Sequence, residues 1–291
     1  MGRIFPILTV VLAIVVFWYA VAVPMNAKWA NDQAMRQGVE LTTRQLVTDT
    51  WSQDRPRLPA PHQVVQELWK STGEMALKGR AFSKRSLIFH GWITLSATML
   101  GFVIGTGAGI LLAVGIVYNR AMDMSVMPWA IASQTIPILA IAPMIIVVLN
   151  SIGVQGLIPK AIISAYLSFF PVVVGMVKGL RSPTTEQLDL LATYNASMRA
   201  QFWKLRLPSS VPYLFTALKI GMAASLVGAI VGELPTGAIR GLGARMLTGS
   251  YYGQTIQIWS ALFAAAILAA TLVGIIGLIE RQSLKRMGMQ Q

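Results

Sequence analysis

The sequence predicts an all-α fold, a polytopic membrane helix bundle of about six transmembrane helices, and three observations carry that prediction. First, 55% of the 291 residues are hydrophobic and only 12% are charged, against ~25% charged in an ordinary soluble domain. Second, the charges cluster and leave several windows of about 20 residues almost free of them, the length a helix needs to cross a ~30 Å hydrocarbon core. Third, the ~10-residue alternation of a membrane barrel is missing, and no other spanning structure satisfies its backbone in lipid.

Six apolar segments can be drawn, over residues 4–23, 92–118, 124–150, 156–178, 213–233 and 255–279. Residues 1–23 form a first transmembrane helix, and 24–90 an insertion outside the membrane. Residues 91–280 form a core of five transmembrane helices interrupted by a polar loop at 181–210, and 281–291 form a tail. The first segment ends in Ala20-Val21-Ala22, which also fits a signal-peptidase site. The run from Ile4 to Val23 exceeds the ~7–15 residues of a signal core, which favours an uncleaved span. Within the insertion, Val64, Val65, Leu68 and Trp69 give one apolar helix face, suited to the headgroups or to the bundle.

The second segment carries Gly101, Gly105 and Gly109 at four-residue spacing, a smooth helix seam. Such a surface serves close packing or a seam between moving halves. In the third segment Pro137 and Pro143 are expected to break the hydrogen-bond ladder near Gln134 and Thr135, and Pro171 does the same in the fourth. Carbonyls freed in this way need water, protein or a solute, so these residues are candidates for a translocation path or gate. Glu233 joins them as a carboxylate at the rim of an apolar segment, with Gly232, Pro235 and Gly237 suggesting a broken helix end. It is expected either to pair with Arg240 or Arg245 or to act as a gate or solute contact.

Residues 184–208 are polar and stand between spans. Thr184 can cap a helix, with Gln187 returning the bond, and Leu188, Leu191 and Tyr194 share one face. Asn195 tolerates the left-handed conformation, and Ser197 can cap a second helix. That helix is expected to display Phe202, Leu205, Arg199, Lys204 and Arg206 and to stop at Leu207-Pro208. An exposed hairpin both apolar and basic suits a groove on a soluble partner, or a membrane surface.

The net charge of +13 belongs mostly to cations flanking spans, where they touch lipid phosphate and set topology. Arg3, Arg120, Lys178, Arg181, Arg199, Lys204, Arg206, Arg281, Lys285 and Arg286 fall on one side, against Lys160, Arg240 and Arg245 in short loops on the other. Both termini are therefore expected in the cytoplasm, although Lys78, Arg80, Lys84 and Arg85 run against the bias. No nucleic-acid motif is present, and the absence of cysteine removes disulfides and thiolate chemistry. No G-x-x-x-x-G-K-[ST] phosphate loop, HExxH or G-x-S-x-G occurs, so no catalytic residue and no metal ligand is assigned.

The polar segment resembles the coupling loop of ABC importer permeases, whose pattern is Glu-Ala-Ala, three residues, Gly, nine residues, Ile-x-Leu-Pro. Here the same spacing holds Asp189-Leu190-Leu191, Asn195, and Leu205-x-Leu207-Pro208. Asp keeps the charge and Asn the turn, while two Leu in place of Ala add bulk where an ATPase groove would receive the helix. Thr94-Leu95, Gly101-Phe102, Gly105 and Gly109-Ile110 are similar to the nitrate/sulfonate/taurine branch, which includes carriers of thiamine-precursor pyrimidines. Ile136-Pro137, Ala140, Pro143, Gly153, Phe170-Pro171 and Gly241-x-Gly243 are similar to further positions of that branch. The likeness covers residues 90–280 and leaves out 24–90.

The resemblance implies a type I ABC importer permease in the bacterial inner (plasma) membrane. Its implied partners are a second permease subunit as homo- or heterodimer, ABC ATPase subunits, and a periplasmic or lipid-anchored solute-binding protein. ATP would be hydrolysed by the partner, with no cofactor bound by this chain, membrane lipid around it and no nucleic acid. The solute would be a sulfonate-, nitrate- or taurine-like anion or a pyrimidine or other vitamin precursor. The alternative is an ion-coupled secondary transporter, which usually needs buried carboxylates or histidines. The first four apolar segments hold no acidic residue, and His62 and His90 lie in or beside the insertion.

Overall fold

The computed structural model describes residues 4–235 and 240–289, so Arg3, Gly237 and the last two residues of the tail lie outside the described residues. Among the described residues every regular element is helical: α1 (Ile4–Gln37), α2 (Thr43–Ser52), α3 (Pro61–Ser71), α4 (Gly73–Leu77), α5 (Leu87–Tyr118), α6 (Arg120–Ser133) and α7 (Ile138–Ser151). Then come α8 (Leu157–Leu180), α9 (Thr185–Thr193), α10 (Met198–Gln201), a π-helical turn (Phe202–Arg206), α11 (Leu207–Glu233), α12 (Leu242–Tyr251) and α13 (Thr255–Arg286). Among the described residues five helical stretches are long and apolar enough to cross a membrane, and the pair α6–α7, bent by 99°, is a broken span or a re-entrant loop that brings the number up to six if it crosses. The chain divides into two compact units.

One unit holds the residues up to Gly91 with Ala244–Ala265. Here α1 does not stop at residue 23; it runs through Pro24 to Gln37. Asn26, fully buried on α1, donates through Nδ2 to the carbonyls of Thr50 (3.1 Å) and Leu58 (2.8 Å). Its Oδ1 accepts from the backbone N–H groups of Arg57 (2.8 Å) and Leu58 (3.1 Å). A buried amide costs several kcal/mol unless its bonds are made, so this side chain fixes the extended stretch after α2 against α1. The Trp18 indole donates to the Pro59 carbonyl at 3.0 Å, and its ring lies 4.9 Å from that of Trp259. Ser260 donates to the Val64 carbonyl, and Thr255 to that of Pro56. The insertion is thus a folded cap. On α3 the apolar face splits: Val64 is buried, while Val65 and Trp69 are exposed.

The other unit, Trp92–Gly243 with the residues from Ala266 onward, is built around α8. Small residues let two helices close on it. A Cβ on Gly105 or Gly109 of α5 would stand 2.8 Å from the Ala165 carbonyl oxygen or 2.9 Å from that of Phe169. On the α11 side, a Cβ at Gly228 would lie 2.7 Å from the Ser164 Cα. Gly101 faces Ser164 in the same way, so the three seam glycines share one contact. A polar pin crosses all three helices: Ser164 Oγ donates to the Ser225 carbonyl at 2.7 Å, and Ser225 Oγ to that of Thr98 at 2.9 Å. Such bonds contribute about 0.6 kcal/mol each in membrane proteins; close packing does the rest. Below the pin, Ala113, Ile116, Val172, Val173, Met176 and Leu180 form an apolar cluster that α6 completes with Met122, Val126 and Met127.

The proline expectations divide. Pro137 caps α7 and marks the 99° break, with Gln134 and Thr135 in the turn between the two helices. Pro143 and Pro171 break nothing: α7 and α8 run through them. A proline removes one donor and leaves the other hydrogen bonds of its helix in place.

Candidate functional site

At one end of the α8-centred unit, the segment joining α8 to α11 forms the expected hairpin. Thr184 and Gln187 exchange the two bonds of a capping box, with the Thr184 N–H donating to Gln187 Oε1 at 3.1 Å. Asn195 takes the left-handed conformation at φ 50. Its N–H donates to the Ala192 carbonyl at 2.8 Å and that of Ala196 to the Leu191 carbonyl at 3.0 Å, a Schellman closure of α9. Ser197 caps the next helix by accepting from Ala200 N.

Beyond Ser197 the expectation fails in an informative way. The second helix does not stop at Leu207-Pro208; it continues from Met198 to Glu233 as one stretch. Leu207 is helical, at φ -67 and ψ -49, and its N–H bonds the Phe202 carbonyl across the wider π turn. A proline ring collides with the carbonyl four residues back in a regular α-helix; the π turn at 202–206 displaces that carbonyl, so Pro208 is accommodated. The hairpin is therefore joined rigidly to α11.

The π turn also re-aims its side chains. Phe202 packs on the α8 cluster and against the Tyr118 ring at 5.9 Å, and Arg206 donates to the Leu180 carbonyl at 2.9 Å, so neither is displayed as expected. Arg206 thereby closes the end of α8 from the root of α11. Displayed instead are Leu190, Tyr194, Met198 and Trp203, each more than half exposed. Arg199 and Lys204 join them at the surface, whereas Leu205, Leu207 and Pro208 are half-buried at the root, and Asp189 is exposed.

At the opposite end of α8, Glu233 is fully buried. Thr94 Oγ1 of α5 stands 3.0 Å from both carboxylate oxygens, and the Gly243 N–H donates to Oε2 at 2.9 Å. Lys160 Nζ of α8 lies 3.7 Å from Oε1 and donates to the Arg240 carbonyl at 3.3 Å. The Leu242 N–H donates to Thr94 Oγ1 at 2.9 Å, closing the ring. Gly241, at φ +125, lies so close to the carboxylate that any Cβ would collide with it. Lys160 is an ion-pair partner that the expectation of Arg240 or Arg245 did not name, and Arg245 donates through Nη2 to Gln257 Oε1 at 2.9 Å. Thr94, Glu233, Gly241 and Gly243 were each visible in the sequence, and the fold brings them together.

Two further features complete the picture. At the α6–α7 break the Ser133 carbonyl accepts from the Tyr166 hydroxyl of α8, while the buried Gln134 Nε2 makes no hydrogen bond. Between α8 and α11 an open groove of about 540 Å³ is lined by Phe170, Pro171, Val174, Lys178, Tyr213 and Ile220. The sequence reading missed the pair Lys219–Glu280, at 2.8 Å, which joins α11 to α13. The signal was there: Lys219 is a lone cation in the fifth apolar segment, and Glu280 sits one residue beyond the sixth.

Residues 105–287 match the family described as the binding-protein-dependent transport system inner membrane component. The chain belongs to that family. It is 29% identical to the formylaminopyrimidine transport permease protein ThiX of Halalkalibacterium halodurans, over 76% of this chain and 80% of that protein. It is 30% identical to the riboflavin transport system permease protein RibX of Chloroflexus aurantiacus, over 77% of this chain and 78% of that protein. Identity to the putative aliphatic sulfonates transport permease protein SsuC of Bacillus subtilis is 23%, over 78% and 77%. The family and the helical architecture agree with the resemblance read from the loop spacing, and the chain is the permease subunit of an ABC importer. It is a multi-pass inner-membrane protein of a system that works with ATPase and binding-protein partners. The secondary-transporter alternative falls with that membership.

Proposed function

We propose that this permease carries a small solute inward through a path beside α8 and α11, driven by an ATPase that grips the 184–208 hairpin. The hairpin is the observation that carries the reading. Its turns are satisfied by its own caps, so the apolar side chains it leaves more than half exposed, Leu190, Tyr194, Met198 and Trp203, are available to a partner, Trp203 also edging the Phe202 ring at 5.2 Å. Its root is continuous with α11 and bonded to α8 through Arg206. A push on the tip therefore reaches two spans as rigid-body motion. Asp189, Leu190, Leu191 and Asn195 belong to the grip, and Leu205, Leu207 and Pro208 to the lever root.

The cation bias puts the hairpin and both termini in the cytoplasm and the Glu233 end at the periplasmic face. Two permease subunits, identical or not, would enclose the path, and a periplasmic or lipid-anchored binding protein would deliver the solute. The groove at Phe170, Pro171 and Tyr213, with Lys178 at 5.9 Å from the Tyr213 ring, offers aromatic surface and one cation. That chemistry suits a planar pyrimidine or vitamin precursor, or a sulfonate-, nitrate- or taurine-like anion. Gln134, whose buried Nε2 has no hydrogen-bond partner, stands at the break next to Thr135 and Pro137 and would meet a solute only once the break opens. Pro143 lies within α7 and contributes packing. Glu233 is a clamp, since a fully buried carboxylate meets no solute in this conformation.

The absence of native cysteine makes the test clean. A Lys204→Cys variant in intact cells should resist a membrane-impermeant maleimide and react after the membrane is opened. The Tyr194→Cys variant should cross-link to the ATPase subunit. Labelling of Lys204→Cys from outside would refute the orientation, and ATP-independent uptake by the purified complex would refute the coupling.

A further inference from the structure

We propose that the segment running from α3 to the start of α5 is a lipid-binding skirt, which seats on anionic phospholipid headgroups and holds the insertion cap against the membrane surface. The cations that run against the topological bias are the starting point. Lys70, Arg80, Lys84 and Arg85 are exposed, and none has an ion-pair partner among the described residues. Of the acidic groups nearby, Glu74 pairs with Lys78, which holds its carboxyl below the usual range, with Lys70 adding a weaker attraction.

Interleaved with these cations are large apolar side chains directed outward. Trp69 is 63% exposed, Leu77 80% and Phe82 68%. Water alone is a poor environment for three such residues within 14 positions, and cations interleaved with aromatics are what the headgroup region accepts. The segment is also fixed in place. Ser86 Oγ donates to the Ser71 carbonyl at 3.2 Å, and His90 Nε2 on α5 donates to the Lys84 carbonyl at 2.9 Å. Because α5, which begins at Leu87, is long and apolar enough to cross a membrane, residues 80–86 immediately precede a span and lie within reach of headgroups. Lipid binding by this surface accounts for a charge pattern that runs against the inside-positive bias, a bias that weakens in insertions longer than ~60 residues.

The full-length permease in nanodiscs of phosphatidylcholine with phosphatidylglycerol tests this by native mass spectrometry of retained lipid. Replacing Arg80, Lys84 and Arg85 by Gln should lower phosphatidylglycerol retention by roughly fivefold per cation and leave phosphatidylcholine retention unchanged. Nitroxides on Leu77→Cys and Phe82→Cys should report headgroup depth, meeting oxygen more readily than a polar nickel chelate. Equal retention by the triple variant, or labels fully open to the chelate, overturns the proposal. So does an outcome in which lipid retention holds and binding of the solute-binding protein is lost, which would make the skirt a protein dock.

Discussion

The two ends of α8 solve opposite problems. At the hairpin end every backbone turn is closed locally and the apolar side chains point away from the chain; at the other end a carboxylate and a hydroxyl are fully buried, with a lysine 14% exposed beside them. The first arrangement keeps its shape without a partner and leaves its binding energy unspent. The second holds α5, α8 and α11 together and leaves nothing for a ligand. On the proposed reading, the clamped end would serve as a fulcrum and the exposed end as the handle.

The largest effect should come from opening the clamp. Glu233→Ala strands the Lys160 ammonium, the Thr94 hydroxyl and the Gly243 N–H, and removing one partner of a buried charged network costs about 3–5 kcal/mol. Glu233→Gln keeps the shape and one acceptor, and should cost about 1–3 kcal/mol. Gly241→Ala should resemble the Ala variant, since its methyl collides with the carboxylate. Thermal unfolding of the purified protein in nanodiscs separates them; a Glu233→Ala protein as stable as the parent would show that this end is no fulcrum.

At the handle the signature is reversed, with binding lost and stability kept. Tyr194 and Trp203 are 77% and 59% exposed, so truncating either removes little from the fold. As aromatic anchors for a groove each should contribute about 2 kcal/mol of partner affinity, roughly thirtyfold. Co-purification of the ATPase and solute uptake should fall together in Tyr194→Ala and Trp203→Ala while the unfolding temperature stays put. An unfolding temperature that falls with affinity would erase the distinction between the two ends.

How legible each end was in the sequence follows from the range of the interactions. The hairpin is local: Thr184 and Gln187 are three residues apart, Asn195 marks its own turn, and Ser197 caps the next helix, so its first half could be read directly. Its second half misled, because Pro208 is a helix stop only when the turn before it is regular; the π turn at 202–206 depends on Phe202 and Arg206 finding Tyr118 and Leu180, far away in sequence. The clamp was legible only as parts. Glu233 lies 139 residues from Thr94, and nothing local distinguishes Lys160 as its partner from Arg245. The glycine seam was readable as a smooth face, and the helix it meets was not.

The smallest effect sharpens the comparison most, because it separates shape from contact at the handle. Asn195 holds a left-handed turn and its side chain is exposed. Asn195→Gly should therefore change stability by only a few tenths of a kcal/mol, whereas Asn195→Ala pays the left-handed penalty of about 1 kcal/mol. If the ATPase reads the angle between α9 and α10, the Ala variant loses coupling out of proportion to that cost: hydrogen exchange across 185–201 rises, and ATP is hydrolysed with less solute moved per turnover. If it reads only side chains, both variants couple like the parent. The ratio of transport to hydrolysis in the Gly and Ala proteins thus decides whether the hairpin transmits force through its fold or merely offers a sticky surface.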